Sequence, residues 1–359
     1  MKRKFFEVLT IINGKNQREV EDSNGEYPIY GSGGIIGYAN KFLCPGNTVI
    51  IGRKGNINKP IYVDKPFWNV DTAFGLLADE KILLPKYLFY FCQRYNFEQH
   101  NKTVTIPSLT KADLLEIVID VPEIDVQKRI CKELDLIDSV ICNRVVTLST
   151  LDVLVKSRFV EMFGDPHHSN LYPYRKVNAF TEVRSGGTPS RKQDSYWKDG
   201  TIRWVKTTEL QNCEIYDTEE KITLEALENS SAKIVPAGTI LIAMYGQGKT
   251  RGMTGYLKVE STTNQACACI LPSTAVNQKY LWRYFMMSYE QLRALAQGAG
   301  QPNLTGDMIK NFPVLIPPLE LQEKYVAFAE QTDKSKLAVQ QSIETLQTLK
   351  EKLMQDYFG

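Results

Sequence analysis

Two stretches of about forty residues, 123–164 and 318–359, share one pattern of apolar and polar positions. Each lacks internal Pro and has no Gly until its end. In the first, Ile130, Leu134, Ile137, Ile141, Val145, Leu148, Leu151, Val155 and Met162 step by threes and fours, with one double step at the end. In the second, Leu321, Tyr325, Phe328, Val339, Ile343, Leu346, Leu349 and Leu353 do the same around a polar gap at 332–336. A narrow apolar seam at helical spacing predicts an amphipathic helix. Forty residues make a rod of roughly 60 Å, too long for an ordinary globular helix. Each rod is therefore expected to pack on another long helix as a coiled coil.

The rods are copies. Pro107, Leu109, Thr110, Pro122, Gln127, Asp138, Thr150, Leu151, Leu154, Phe163 and Gly164 recur 195 positions later, ending at Gly359 (359 − 164). The match is ungapped, so the repeat governs the rest of the reading.

Before each rod the pattern shifts to short apolar runs punctuated by Gly, Asn, Pro and Thr. The apolar run 5–12 predicts a strand or short helix, 45–52 a turn and a buried strand, and 67–77 further strands. Pro85 opens a helix from its first turn. Thr110 caps another, with Asp113 three positions on, and 117–121 is a strand that stops at Pro122. The programme restarts after 165–172. Gly186 stands 172 positions after Gly14 (186 − 14) and Thr239 stands 191 after Thr48 (239 − 48). The second copy therefore carries an insertion, placed within 195–234. Its acidic part, 217–228, reads as a solvated helix or loop face. The predicted organisation is a globular domain over 1–121, a helix over 122–164, a linker over 165–172, a second globular domain over 173–316 and a second helix over 317–359. The fold class is α+β: two pseudo-repeated mixed domains separated by two long antiparallel coiled-coil helices, with antiparallel sheet favoured.

Composition narrows the class. Charged residues are 23%, hydrophobic residues 43% and the net charge is +2, so any nucleic-acid surface must be a local basic patch. No apolar run is long enough for a membrane span, and the basic start 1–6 is not followed by a signal-peptide core. The seven cysteines are scattered, and Cys267 and Cys269 are expected as core thiols on one strand face; the pattern suits the cytoplasm.

Catalytic patterns are weak. The run 243–250 loosely fits a P-loop, yet its sequel reads as strand rather than the helix that holds phosphate. No Asn/Asp-Pro-Pro-aromatic methyltransferase site is present. Glu219-Glu-Lys221 fits a loose nuclease triplet of a kind common on solvated faces. The three histidines form no catalytic set, and no metal site is expected. What remains is recognition. Basic loops recur at matching places in both halves, interleaved with Asn, Gln, Thr and Tyr. The DNA-binding candidates are Lys15, Asn16, Gln17, Arg18, Arg53, Lys54, Asn56 and Lys59 in the first half. In the second they are Arg184, Thr188, Ser190, Arg191, Lys192, Arg203, Lys206, Thr207, Gln247, Lys249 and Arg251. Lys and Arg neutralise phosphates, and Asn, Gln and Arg pair with base edges.

These features together resemble the specificity subunit of type I restriction–modification systems. The carriers are Ser185-Gly-Gly-Thr-Pro-Ser190 with Ile202-Arg-Trp204, Gly14-Lys-Asn-Gln17 with Tyr27-Pro-Ile-Tyr-Gly-Ser-Gly-Gly34, Ile106-Pro-Ser-Leu-Thr110, Gln301-Pro-Asn-Leu-Thr305, Ile316-Pro-Pro-Leu-Glu-Leu-Gln322 and the two rods. The resemblance implies two target-recognition domains that each read half of a bipartite DNA sequence, and helices that set the gap. It implies no catalysis and no cofactor in this chain. Two adenine-N6 methyltransferase subunits would bring S-adenosylmethionine, and restriction subunits would bring ATP and Mg. Ile130, Leu134, Ile137, Ile141, Leu148, Leu151, Leu321, Tyr325, Phe328, Ile343, Leu346 and Leu353 are the expected spacer and partner-docking positions. A coiled-coil scaffold whose globular ends bind proteins is the rival reading.

Overall fold

The computed structural model of the chain describes residues 1–101, 107–246, 248–296 and 303–359. The chain forms two compact units, one of residues 1–147 with 339–359 and one of residues 148–338. Each combines a globular part with half of each long helix.

In the first unit an antiparallel sheet orders the strands Leu9–Asn13, Ala73–Ala78, Thr48–Gly52 and Ile61–Val63. A helix, Phe5–Val8, precedes the first of them, so the run 5–12 is a helix and then a strand. All five residues of Thr48–Gly52 are buried, because both faces of the sheet are covered. Val49 and Ile51 pack with Leu88 and Phe91 of the helix Pro85–Arg94. Ile50 faces the other way, onto Phe67 and Tyr30. Tyr30 belongs to a three-stranded sheet in which Tyr27–Gly31 lies between Gly34–Ala39, antiparallel, and Trp68–Asn69, parallel.

The second unit repeats this plan. Val183–Ser185, Cys267–Ile270, Ile240–Ala243 and Thr254–Leu257 take the four sheet positions, and Ile202–Val205 lies between Glu220–Ile222 and Thr262–Thr263. Ile240 and Ile242 pack on Tyr280, Leu281 and Tyr284 of the helix Gln278–Met287, while Leu241 and Ala243 pack with Cys267, Cys269 and Val205. Cys267 and Cys269 are the expected core thiols. Burial raises both, Cys269 to about 11, which leaves them unreactive. Pairing locates the insertion. Ile29 and Trp204 occupy equivalent rungs, an offset of 175 (204 − 29), against 191 at Thr48 and Thr239 (239 − 48). Most of the extra chain thus follows Val205. It includes Cys213–Ile215, a fifth sheet strand that pairs parallel with Thr254–Leu257. The acidic stretch 217–228 is not a solvated face throughout: it contains the strand Glu220–Ile222 and the helix Leu224–Glu228, and Ile222 and Ala226 are fully buried.

The first polar turn needs glycine in both copies. A Cβ on Gly14 would lie 1.8 Å from the Val70 carbonyl oxygen, and one on Gly186 would lie 2.1 Å from that of Asn264. Backbone cannot yield cheaply there. Gly14→Ala is expected to lower stability by about 2 kcal/mol, read as a shift of the urea midpoint at constant slope. A neutral result would show that the turn opens freely.

The long helices run Ile124–Phe163 and Leu319–Phe358. Gln127 and Gln322, both fully buried, tie their starts to the globular parts. The Gln127 side chain accepts from Leu84 N–H (2.9 Å) and donates to the carbonyls of Pro122 and Ile82 (2.8 and 2.9 Å). Gln322 accepts from Asn277 N–H (2.8 Å) and donates to Pro317 (2.7 Å). A buried amide without these bonds would be costly, which explains a polar residue at the root of each rod.

Within each unit the two helical segments pack antiparallel. In the first, Lys350 pairs with Asp138 at 2.6 Å and the Tyr357 hydroxyl donates to Glu133 at 2.5 Å. In the second, Lys336 pairs with Asp152 at 2.5 Å, and the Phe159 and Tyr325 rings lie 5.4 Å apart. Each helix ends on the globular part of the opposite repeat: Phe163 meets Tyr280 (5.6 Å) and Phe358 meets Tyr87 (5.0 Å). Ile130, Leu134, Ile137, Tyr325 and Ile343 are buried; Ile141, Leu148, Leu151, Leu321, Phe328, Leu346 and Leu353 are half-buried. Val145 and Leu349, periodic with the seam, are exposed instead (53% and 45%).

Candidate nucleic-acid interface

In the first unit the candidate side chains sit on two loops; in the second they sit on the two equivalent loops and also on the strands Val183–Ser185 and Ile202–Val205 and the turn that follows the latter. In the first unit the turn after Leu9–Asn13 is strapped to the strand Trp68–Asn69. Lys15 N–H donates to Asn69 O (3.0 Å), the Trp68 indole donates to Lys15 O (3.0 Å), and the Asn16 side chain accepts from Arg18 N–H (2.9 Å). The turn thus has a fixed backbone while Lys15 and Arg18 carry no ion pair among the described residues. Gln17 O accepts from Val20 and Glu21 N–H, which closes the turn.

The second loop joins Thr48–Gly52 to Ile61–Val63 and carries Arg53, Lys54, Asn56 and Lys59. Its base is held from two sides. Arg53 and Lys54 N–H donate to Thr72 O (2.8 and 3.3 Å), Gly55 N–H donates to Pro107 O (3.1 Å), and Leu109 N–H donates to Arg53 O (2.9 Å). In the second unit Leu304 N–H donates to Met244 O (3.0 Å), the equivalent bond. The repeated Pro-x-Leu-Thr sequence is therefore a strap beneath the basic loop, and its Thr caps the next helix at Asp113 N–H and Met308 N–H. Ile106, Gln301 and Pro302 of these motifs lie outside the described residues. Arg53 lies over the Phe74 ring at 5.7 Å.

The equivalent second-unit loop spans 244–253 and joins Ile240–Ala243 to Thr254–Leu257. It connects two antiparallel strands, with Gly246, Gly248 and Gly252 at positive φ, so no helix N-terminus stands where a P-loop needs one. Lys249 is exposed on this loop. The loop is pinned where Tyr289 donates to Lys249 O (2.6 Å) and Arg293 to Arg251 O (3.0 Å). Gln247 lies outside the described residues.

Four basic candidates of the second unit, Arg184, Arg191, Arg203 and Lys206, differ from their first-unit counterparts in being ion-paired. Arg184 forks onto Glu182 (2.7 and 2.8 Å). Arg203 meets Asp217 (3.0 Å), and Lys206 meets Glu219 and Glu220 (2.6 and 3.1 Å). Arg191 meets Glu220 (2.5 Å) and stacks on Trp197 with its guanidinium 3.6 Å from the ring centroid. These bonds set the charge states. Arg191, then Lys206, holds the Glu220 carboxyl below its usual range. The Thr218 N–H, then Lys221, does the same for Asp217, and Glu219 raises Lys206. The antiparallel pairing of Ile202–Val205 with Glu220–Ile222 brings these segments together, with Trp204 opposite Glu220. Arg191 is a structural clamp on two tryptophans as much as an exposed cation. Thr188 accepts from Gln265 N–H (3.4 Å), Ser190 O from the Trp197 indole (3.1 Å), and Thr207 O from Leu210 N–H (3.2 Å). Lys192 is exposed without an ion pair among the described residues.

Glu219 and Lys221 point into this salt-bridge network, and no group of three metal-binding side chains occurs among the described residues. None of the described helices is long and apolar enough to cross a membrane.

The arrangement defines a class. Two copies of one domain each present paired basic loops on a sheet, joined through long helices. A family model for the type I restriction modification DNA specificity domain matches residues 1–144 and 172–349, and the chain belongs to that family. Over 158 residues it is 34% identical to the type I restriction enzyme MjaIX specificity subunit of Methanocaldococcus jannaschii, covering 42% of this chain and 35% of that one. The chain thus spans about a third of that curated relative. A putative type I restriction enzyme specificity subunit of Haemophilus influenzae is 23% identical over 382 aligned positions, which cover 97% and 93% of the two chains. The crystal structure of a type I restriction–modification S subunit from M. genitalium superposes with a TM-score of 0.64 at 15% identity, covering 100% of this chain and 96% of that one. This likeness shows a shared fold.

Proposed function

We propose that this chain is the non-catalytic DNA-reading subunit of a type I restriction–modification complex. Each unit reads one half of a bipartite duplex target, and the helices set the gap between the halves. The observation that carries this reading is the duplicated basic loop, whose base is held in both units by the same backbone bond, Leu109 N–H to Arg53 O and Leu304 N–H to Met244 O. Family membership supports the assignment. Two adenine-N6 methyltransferase subunits dock on the long helices and supply S-adenosylmethionine chemistry; restriction subunits bring ATP and Mg. Docking is supported by apolar side chains that the helices leave exposed, among them Leu136 (64%), Val153 (60%) and Leu337 (61%). The complex works in the cytoplasm.

Methylome sequencing of a host carrying the system tests the reading. The expected result is adenine methylation in a split motif with a fixed gap. Absence of any such mark would favour a protein-binding scaffold, and methyl transfer by the purified chain alone would overturn the non-catalytic role. The same experiment tests the spacer. Four residues inserted beside Leu148 add roughly 6 Å of helix, near two base-pair steps of 3.4 Å. The gap should lengthen while both half-sites persist. A changed half-site with an unchanged gap would refute the spacer role.

A further inference from the structure

The first unit carries an apolar feature that the basic-loop reading does not use. Strands Tyr27–Gly31 and Gly34–Ala39 form a hairpin with a two-residue turn, Ser32-Gly33. Side chains in a strand normally alternate between faces. Here the register shifts, with Ile35 opposite Tyr30 and Gly37 opposite Ile29, so Ile36 is an extra residue. A bulge of this kind re-aims side chains. Ile35 and Ile36, adjacent in sequence, are both exposed, at 54% and 57%. Gly31 leaves room beside them, since a Cβ there would sit 3.7 Å from Ile36 Cγ2.

The surroundings of this tip point to its occupant. The turn rests on the basic loop: a Cβ on Gly33 would lie 3.4 Å from Asn56 Nδ2, and one on Gly55 would lie 3.8 Å from Ser32 Oγ. Arg53, Lys54 and Lys59 of that loop form no ion pair among the described residues. Acidic groups begin at Gly37: the Glu21 carboxylate lies 3.5 Å from where a Cβ on Gly37 would sit, Glu21 bridges to Ala39, and Asp22 N–H donates to Tyr38 O (2.9 Å). The ribbon is therefore polarised, apolar and basic at the tip and acidic at its base. A polyanion is therefore favoured on the turn side of the ribbon, where the basic loop lies. A two-stranded ribbon fits the major groove, and the apolar group that base edges show there is the thymine 5-methyl.

We propose that Ile35 and Ile36 read thymine methyl groups in one half of the duplex target, while the adjoining loop neutralises the flanking phosphates. The inference rests on the DNA-reading role proposed above. The second unit has no such tip. Its equivalent strands Ile202–Val205 and Glu220–Ile222 are joined by the long segment 206–219, and acidic side chains occupy that edge. The apolar readout is thus confined to one half-site.

The test uses the complex with its methyltransferase subunits and a duplex bearing the motif found by methylome sequencing. Each thymine is replaced in turn by deoxyuridine, which lacks the methyl. Wild type should lose about fourfold in affinity per contacted methyl, at one or two positions within a single half-site. The Ile35→Ser/Ile36→Ser variant should bind thymine and uracil duplexes alike while keeping the salt dependence of the wild type. Indifference of the wild type to uracil at every position would overturn the proposal and leave the DNA-reading role intact. So would a variant that loses methyltransferase assembly but keeps its uracil sensitivity, since the tip would then be a protein contact. A complex that binds no motif at all would take down the DNA-reading role together with this proposal.

Discussion

Replacing Phe159 with alanine should lower stability by about 4 kcal/mol. The side chain is fully buried. Its ring lies 4.9 Å from Phe163, 5.9 Å from Tyr280, 6.1 Å from Tyr284 and 5.4 Å from Tyr325. Two of these rings belong to the globular helix Gln278–Met287 and two to the long helices, so truncation empties the point where three helices meet. Aromatic pairs contribute about 0.5–1.5 kcal/mol each beyond their buried area, which the surrounding rings cannot recover by collapse. Urea denaturation should show the lowered midpoint, and Phe159→Leu should retain much of the loss. The equivalent position of the other repeat is Met354 (354 − 159 = 195), also buried. Met is more adaptable there, so Met354→Ala should cost nearer 2 kcal/mol. An unchanged midpoint for Phe159→Ala would remove it as the anchor of the second unit.

Lys54→Ala combined with Lys59→Ala should weaken DNA binding on every sequence and flatten its salt dependence. Each phosphate neutralised contributes about 0.9 to the slope of log K against log salt, so losing both should reduce the slope by about 1.8. These lysines have no acidic partner among the described residues, and the strap from Leu109 N–H to Arg53 O fixes the loop base without them. The fold should therefore be untouched. Arg191→Ala makes the contrast. Its guanidinium is stacked on Trp197 and bonded to Glu220, and its removal should cost roughly 1–2 kcal/mol of stability. Binding measured across a salt series, with melting of each variant, separates the two outcomes. An unchanged slope for the lysine pair would remove that loop from the phosphate contacts.

Much of this architecture is legible in the chain because it is written twice. The constant offset gives the rods, their ends and the equivalence of the loops. The apolar runs at 48–52 and 240–243 announce strands covered on both faces. Other features are invisible for physical reasons. Asp217 and Glu220 look like a solvated acidic run, since only the folding of distant segments brings them to Arg203, Lys206 and Arg191. Pro-x-Leu-Thr recurs conspicuously, yet its role is a backbone hydrogen bond, which side-chain chemistry cannot reveal. Val145 and Leu349 fit the helical period, but a straight helix drifts against a regular repeat, and both turn to solvent. The exposed pair Ile35–Ile36 depends on a bulge that no alternation pattern encodes.

The swapped ends of the long helices bear on how the chain matures during synthesis. The second unit is continuous, from 148 to 338, whereas the first draws on 339–359 as well. Met354 belongs to the first unit's core, and Phe358 packs on Tyr87 and Phe91. The domain translated first is therefore completed last. Until the final turns emerge, Leu88, Phe91 and Leu134 lack part of their cover, and closure requires contacts more than two hundred residues apart in sequence, the slowest kind to form. A chain truncated after residue 340 should hold a protease-resistant second unit beside a first unit that is still easily cut.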